Sequence, residues 1–132
     1  MISSRPALTP RQTVLSVMAG AVLWFLAALL LKVIGPMGAY EGINMVILYV
    51  LVIPVTVPFI PLVRTVAGLA HDQTALGIAM ATAAAALLDG LALAWAPGLY
   101  GTETAYVAGA GATILWGAGV AIVLGFVMNR AS

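Results

Sequence analysis

Polar residues in this chain collect in a few short breaks, many of them marked by Gly or Pro, and between the breaks the sequence stays apolar for about twenty residues at a time. A helix needs about that length to cross a hydrocarbon core of ~30 Å. Four such runs predict four helices, at about 13–34, 43–63, 74–95 and 105–128. The first ends at "GPMG", the second at Arg64, the third at "APG" and the fourth at Asn129 and Arg130. The runs are about twice the ~10 residues of a barrel strand and do not alternate apolar with polar, so helices are preferred. The predicted fold is all-α, a single domain over 1–132 forming a bundle of four transmembrane helices.

Composition strengthens that reading. Of 132 residues, 64% are hydrophobic and 7% charged, with a mean hydropathy of +1.16, far from the composition of a soluble domain. The partner this requires is membrane lipid. A net charge of +1 gives no basic field for nucleic acid. With no cysteine there is no disulfide, thiolate nucleophile or thiolate metal site. Arg5 and Arg11 precede the first run, but that run exceeds the 7–15 apolar residues of a signal-peptide core, so it reads as an anchor. Four spans put Arg5, Arg11, Arg64 and Arg130 on one side, and Lys32, Glu41 and Glu103 on the other. The positive-inside rule then makes both termini cytoplasmic, in a multi-pass protein of the cell membrane. Tyr40, Trp95, Tyr100 and Tyr106 fall at the outer boundary, as an aromatic belt does.

Three patterns inside the runs bear on activity. Pro54, Pro58 and Pro61 fall on one stripe of the second helix and would free the carbonyls of Val50, Pro54 and Val57, with Thr56 close by. Such groups are costly in lipid, so the stripe is expected to face the bundle interior or a water-filled cavity, as a bend or as a hinge. In the fourth helix Gly109, Thr113, Gly117, Ala121 and Gly125 recur every four residues, and in the third Gly77, Ala81 and Ala85 lead to Asp89. Ridges of small residues allow close backbone approach. They predict packing of helix three on helix four, or a homodimer through helix four.

Asp89 lies six residues before Trp95, about 9 Å inside the outer interface at 1.5 Å per residue. An intramembrane acid needs partners and marks functional sites. Lys32 and Asn44 are predicted at similar depth, and with Glu41 and Glu103 they suggest a polar outer vestibule. In the simplest version Lys32 pairs with Asp89, or Asn44 and backbone groups bond it. Trp24 and Trp116 read as core packing, and His71 with Asp72 as a solvated turn capping helix three. One histidine makes no metal site, and "GAGAT" at 109–113 has neither the preceding strand nor the Lys of a phosphate loop. No cofactor, metal or catalytic residue is expected, and no enzymatic activity.

The runs "LLDGLALAWAPGLYG" at 87–101 and "ILWGAGVAIVLGF" at 114–126 resemble the second half of a family of small four-helix bacterial membrane proteins that carries only a domain-of-unknown-function label. The resemblance implies the topology and a bacterial inner-membrane location, with Asp89, Gly90, Pro97 and Tyr100 as matching positions, and no established activity. Small multidrug exporters are similar in size but carry an essential acid in their first helix, where this chain has only Lys32.

Two functions follow from different classes. The first is an interaction or accessory protein, homo-oligomeric or part of a larger membrane complex, in which Asp89 is structural. The second is a small proton- or cation-coupled transporter or channel that uses Asp89 and the Pro54/Pro58/Pro61 helix. The first is favoured because the runs supply few polar side chains for a pathway.

Overall fold

A computed structural model describes residues 7–130; Arg5 lies outside the described residues. It contains five α-helices and no strand among those residues: α1 Pro10–Ile34, α2 Ile43–Thr56, α3 Phe59–Ala67, α4 Thr74–Trp95 and α5 Thr104–Val127, with 3-10 turns at Gly35–Met37, His71–Gln73 and Pro97–Leu99. Four stretches are long and apolar enough to cross a membrane: Pro10–Met37, Ile43–Ala67, His71–Trp95 and Thr104–Val127. The second contains both α2 and α3.

α1 begins three residues before its apolar run because polar groups, rather than hydropathy, fix its start. Thr9 Oγ1 accepts from Gln12 N at 3.1 Å, and Gln12 Oε1 accepts from Thr9 N at 2.9 Å. This reciprocal box satisfies two otherwise orphaned donors, and Pro10 at the first helical position loses no helix hydrogen bond. The same glutamine then reaches across the bundle. Its Nε2 donates to Gln73 Oε1 and to Gly68 O, while Gln73 Nε2 donates to Gln12 Oε1 and to Ala7 O. All four amide hydrogens of the pair are therefore used. Gly68, at φ +67°, ends α3 in the left-handed region, and Leu69 N returns to Arg64 O at 2.8 Å, which no Cβ-bearing residue does as readily.

The second span is one helical stretch, Ile43–Ala67, in line with the segment expected over 43–63, but its regular α-helix lapses at the two residues Val57–Pro58, both of which keep right-handed helical angles, so that α2 ends at Thr56 and α3 begins at Phe59. The carbonyl of Val57 is not left free: Ile60 N bonds it at 3.2 Å in a tighter turn. Thr56 Oγ1 donates to Val52 O at 2.6 Å. Nor does the proline stripe face the interior. Pro54 and Pro58 are exposed and only Pro61 is half-buried.

The break lets the two halves choose different neighbours. α3 packs on α1 and α4 and buries Ile60, Val63 and Ala67, whereas α2 packs on α5 and buries no residue. The core accordingly has two parts. One, toward the end carrying Arg11, Arg64 and Arg130 (the basic end), gathers Ile60, Val63, Ala67, Leu69, Ile78 and Ala81. The other, toward the end carrying Glu41 and Glu103, gathers Ala28, Leu31, Tyr100 and Ala110. At the basic end Arg64 Nε donates to Thr74 Oγ1, Thr74 Oγ1 donates to His71 O, and Asn129 Oδ1 accepts from Ala75 N. The last helix thus caps the start of α4.

α1 and α4 form the most extensive pairing, and α4 and α5 the next. The small residues serve a different plan from two interlocking ridges. On α4, Ala81 meets Gly20 of α1, whose missing Cβ would collide with the Ala81 backbone, and Gly77 receives Leu69. Ala85 is half-buried. On α5, Gly125 lies against Ile78 of α4, Gly109 beneath the Tyr40 ring and Gly117 near Val52 of α2. Ala121 borders the basic-end core, and Thr113 Oγ1 turns back to Gly109 O at 2.8 Å. One ridge thereby admits three different neighbours.

These contacts predict opposite outcomes for two glycines. Gly20→Ala forces the α1 and α4 backbones apart and is expected to cost about 1–3 kcal/mol. Gly119→Ala, with nothing within 4 Å of the added Cβ, gains up to about 1 kcal/mol of helix propensity. Reversible denaturation in mixed micelles measures both; equal effects would contradict the close approach at Gly20. Gln73→Ala removes both bonds between the two amides and those of Gln73 with Ala7 O and Ala70 N, and is expected to speed amide exchange over residues 68–74 while leaving Leu31 and Ala110 protected.

Candidate functional site

Asp89 has a partner that its sequence neighbourhood does not advertise. The last turn of α4 closes with Ala96 N on Ala92 O at 2.7 Å, and Pro97 stops the helix. The 3-10 turn Pro97–Leu99, closed by Tyr100 N on Pro97 O at 2.9 Å, folds the chain back over the helix end. It carries Tyr100 inward. The ring is completely buried, at 0% exposure, among Ala28, Leu31 and Ala110. Gly101 follows, where a Cβ would press on the Tyr106 side chain at 2.8 Å, so a small residue is needed for the turn to close.

From there Tyr100 Oη donates to Asp89 Oδ1 at 2.5 Å, and Trp24 Nε1 of α1 donates to Tyr100 Oη at 3.0 Å. The direction of both bonds is fixed by chemistry. An indole N–H only donates, which leaves the single phenolic proton for the acid. The chain of donors runs one way, from α1 through the turn to α4, and ends on the carboxyl group. Asp89 keeps 9% exposure. Three segments of the fold therefore meet at one buried acid, each contributing one side chain.

Burial pushes the Tyr100 phenol well above the ordinary tyrosine range, and its bond to Asp89 pushes it the same way, while the Trp24 donation opposes both more weakly. Burial also raises Tyr40, which covers Gly35 and Gly109 and donates to Leu31 O at 3.3 Å.

The vestibule expected around Asp89 is not assembled. Lys32 is exposed on α1, and Asn44 Nδ2 donates to Gly38 O at 3.0 Å, holding the α1–α2 turn. Neither is a hydrogen-bond partner of Asp89. Glu41 and Glu103 are exposed. Tyr100 leaves the aromatic belt for the interior, whereas Trp95 stands 80% exposed. Trp24 is more than packing, since it supplies a hydrogen bond. Trp116 is not a core residue: 39% exposed, it stacks on Tyr49 of α2 with ring centres 5.0 Å apart and planes 17° from parallel. Its Nε1 donates to Tyr49 O at 2.9 Å and Tyr49 Oη donates to Ala112 O at 3.1 Å, which fastens α2 to α5.

Two hollows were located on the surface. One lies between α1 and α3 and the other between the 3-10 turn Pro97–Leu99 and the start of α5. Neither is lined by Asp89, Pro54, Pro58 or Pro61. The arrangement can hold a buried carboxylate and join three segments through it. No protein-family model, curated protein or solved structure matches the chain.

Two consequences of the Trp24–Tyr100–Asp89 chain are measurable. Tyr100→Phe strands a buried acceptor and a buried donor, and is expected to cost about 1–3 kcal/mol and to shift Trp24 fluorescence. Asp89→Asn keeps an acceptor oxygen and costs less. In an alkaline titration followed by tyrosinate absorbance, the component lost in Tyr100→Phe is expected above the ordinary value near 10. Because its folded value is raised, the stability it confers is complete below the ordinary value near 10 and is lost as pH climbs through the raised one. A Tyr100→Phe protein with unchanged alkaline stability would contradict this geometry.

Proposed function

We propose that this chain is a small integral membrane protein of the bacterial inner membrane, with both termini cytoplasmic, that acts as an interaction or accessory component, as a homo-oligomer or within a larger membrane complex. The observation that carries the reading is α2. It is 14 residues long with no buried residue, held to the bundle through Tyr49 and Trp116 at α5, and it presents Val46, Val50 and Ile53 outward. A helix spent so little on its own fold is free to face lipid or a partner helix. The buried acid supports the same reading because its bonds stay inside the chain, between α1, α4 and the turn after α4. No catalytic role is assigned to any residue.

The break at Val57–Pro58 is the observation that favours a second reading, a small proton- or cation-coupled transporter in which α2 moves about the prolines and Asp89 titrates. Against it, Pro54 and Pro58 face outward, and the two hollows reach neither the prolines nor Asp89.

Native mass spectrometry of the particle released from bilayers separates the two. The accessory reading expects a mass above one chain that Val50→Trp lowers by dissociating the partner, with Asp89→Asn assembling normally. A monomer at every concentration, with proton flux abolished by Asp89→Asn in a bundle of unchanged stability, would replace it with the transport reading.

A further inference from the structure

Where α2 leaves α1, a hollow of about 300 Å³ opens between α1 and α3, lined by Leu15, Met18, Ala19, Val22 and Leu23 on one side and Leu62, Val63 and Val66 on the other. Every lining side chain is apolar. Val63 is part of the buried core, so the floor is fixed, while Met18, Val22, Leu62 and Val66 form exposed walls. The hollow lies alongside α3 where α3 packs on α1, and α2, which packs on α5, does not line it.

Its dimensions select among apolar occupants. From Leu15 to Leu23 the hollow runs about 12 Å along α1 at 1.5 Å per residue, which fits within one leaflet of a ~30 Å hydrocarbon core. An acyl chain of the same leaflet can lie along a slot of that length against its apolar walls. The charge at its mouth selects further. Arg11 is one turn before Leu15 and shares its stripe with Met18 and Val22, at +4, +7 and +11, so it stands at the basic end of the slot, exposed. Arg64 and Arg130 lie at the same end of the bundle, and the acids Glu41 and Glu103 at the other.

We infer that the α1–α3 hollow is a lipid site, which takes one acyl chain of an anionic glycerophospholipid along Leu15–Leu23 and Leu62–Val66 and pairs its headgroup phosphate with Arg11. Basic side chains flanking a membrane helix attract anionic lipid in this way. The inference goes beyond the accessory reading and is independent of it, because the site lies within one chain and does not involve the outward face of α2.

The test uses the full chain in bilayers of equal phosphatidylcholine and phosphatidylglycerol, released for native mass spectrometry, with retained lipid counted per chain. The wild type is expected to keep one lipid, with phosphatidylglycerol favoured about fivefold, the size expected for one basic group at the membrane surface. Arg11→Gln brings the two lipids to near parity without loss of occupancy. Ala19→Phe fills the slot from α1 and Val66→Phe fills it from α3, and each is expected to expel the lipid while the Trp24 emission of the folded bundle is kept. Two filling variants from opposite walls guard against one simply failing to fold. Retention that survives both would show ordinary annular lipid and overturn the site. An unchanged headgroup preference in Arg11→Gln would overturn the role of Arg11, and with it the proposal. Loss of a second chain rather than a lipid on filling the slot would show a helix there instead.

Discussion

A polar group surrounded by hydrocarbon has no water to bond, and in helices long and apolar enough to cross a membrane that constraint would fall on every buried polar group. Asp89 is the severest case, and the chain answers it by bringing a phenol and an indole from two other segments so that every proton in the chain points toward the acid. The glutamine pair answers it at the basic end, where all four amide hydrogens are placed. At the proline break the answer is local: Ile60 N takes the Val57 carbonyl, and the Thr56 hydroxyl bonds Val52 O. Ser16 is the exception, with a buried Oγ that lacks a partner. It is one turn from Gly20 on α1, at the seam where two backbones meet, and there its small volume matters more than its hydroxyl.

In a bilayer nothing would drive these helices together as water drives a soluble core, and association would rest on close packing and hydrogen bonds. α4 is central because it can be approached from several sides: α1 comes in over Gly20 and Ala81, Leu69 over Gly77, and α5 over Gly125 and Ile78. Two polar fastenings, the Asp89 chain at one end and the glutamine pair at the other, lock the α1–α4 pairing in register. α2 shares in neither. It depends on one stacked aromatic pair and two hydrogen bonds to α5, and so is the least embedded helix. An uncovered seam remains between α1 and α3 and an uncovered face on α2.

The sequence by itself determined the number and length of the apolar segments and the helical class, because these follow from local composition and from the thickness of a bilayer. Close helix contact at glycines and the stop of α4 at Pro97 were also legible, since each is a property of a residue and its immediate neighbours. Partners were not. Lys32 and Asn44 are near Asp89 in depth but not in rotation or in the path of the connecting turns, and depth is all that residue spacing along a helix supplies. Tyr100 sits 11 residues after Asp89, and its position suggested an interface residue until the turn over Pro97 carried it inward. The clue lay in "APGLYG", a Pro/Gly turn around an aromatic beside a buried acid. The prolines pointed to a bend or hinge in the second helix but not to the place of its interruption or the side they face, because those depend on which neighbours α2 and α3 each meet. Tertiary structure alone decided the pairing of α1 with α4, the separate docking of α2 and α3, and the burial of Tyr100. Each is a contact between segments distant in the chain, set by which surfaces close most tightly and leave the fewest polar groups unpaired.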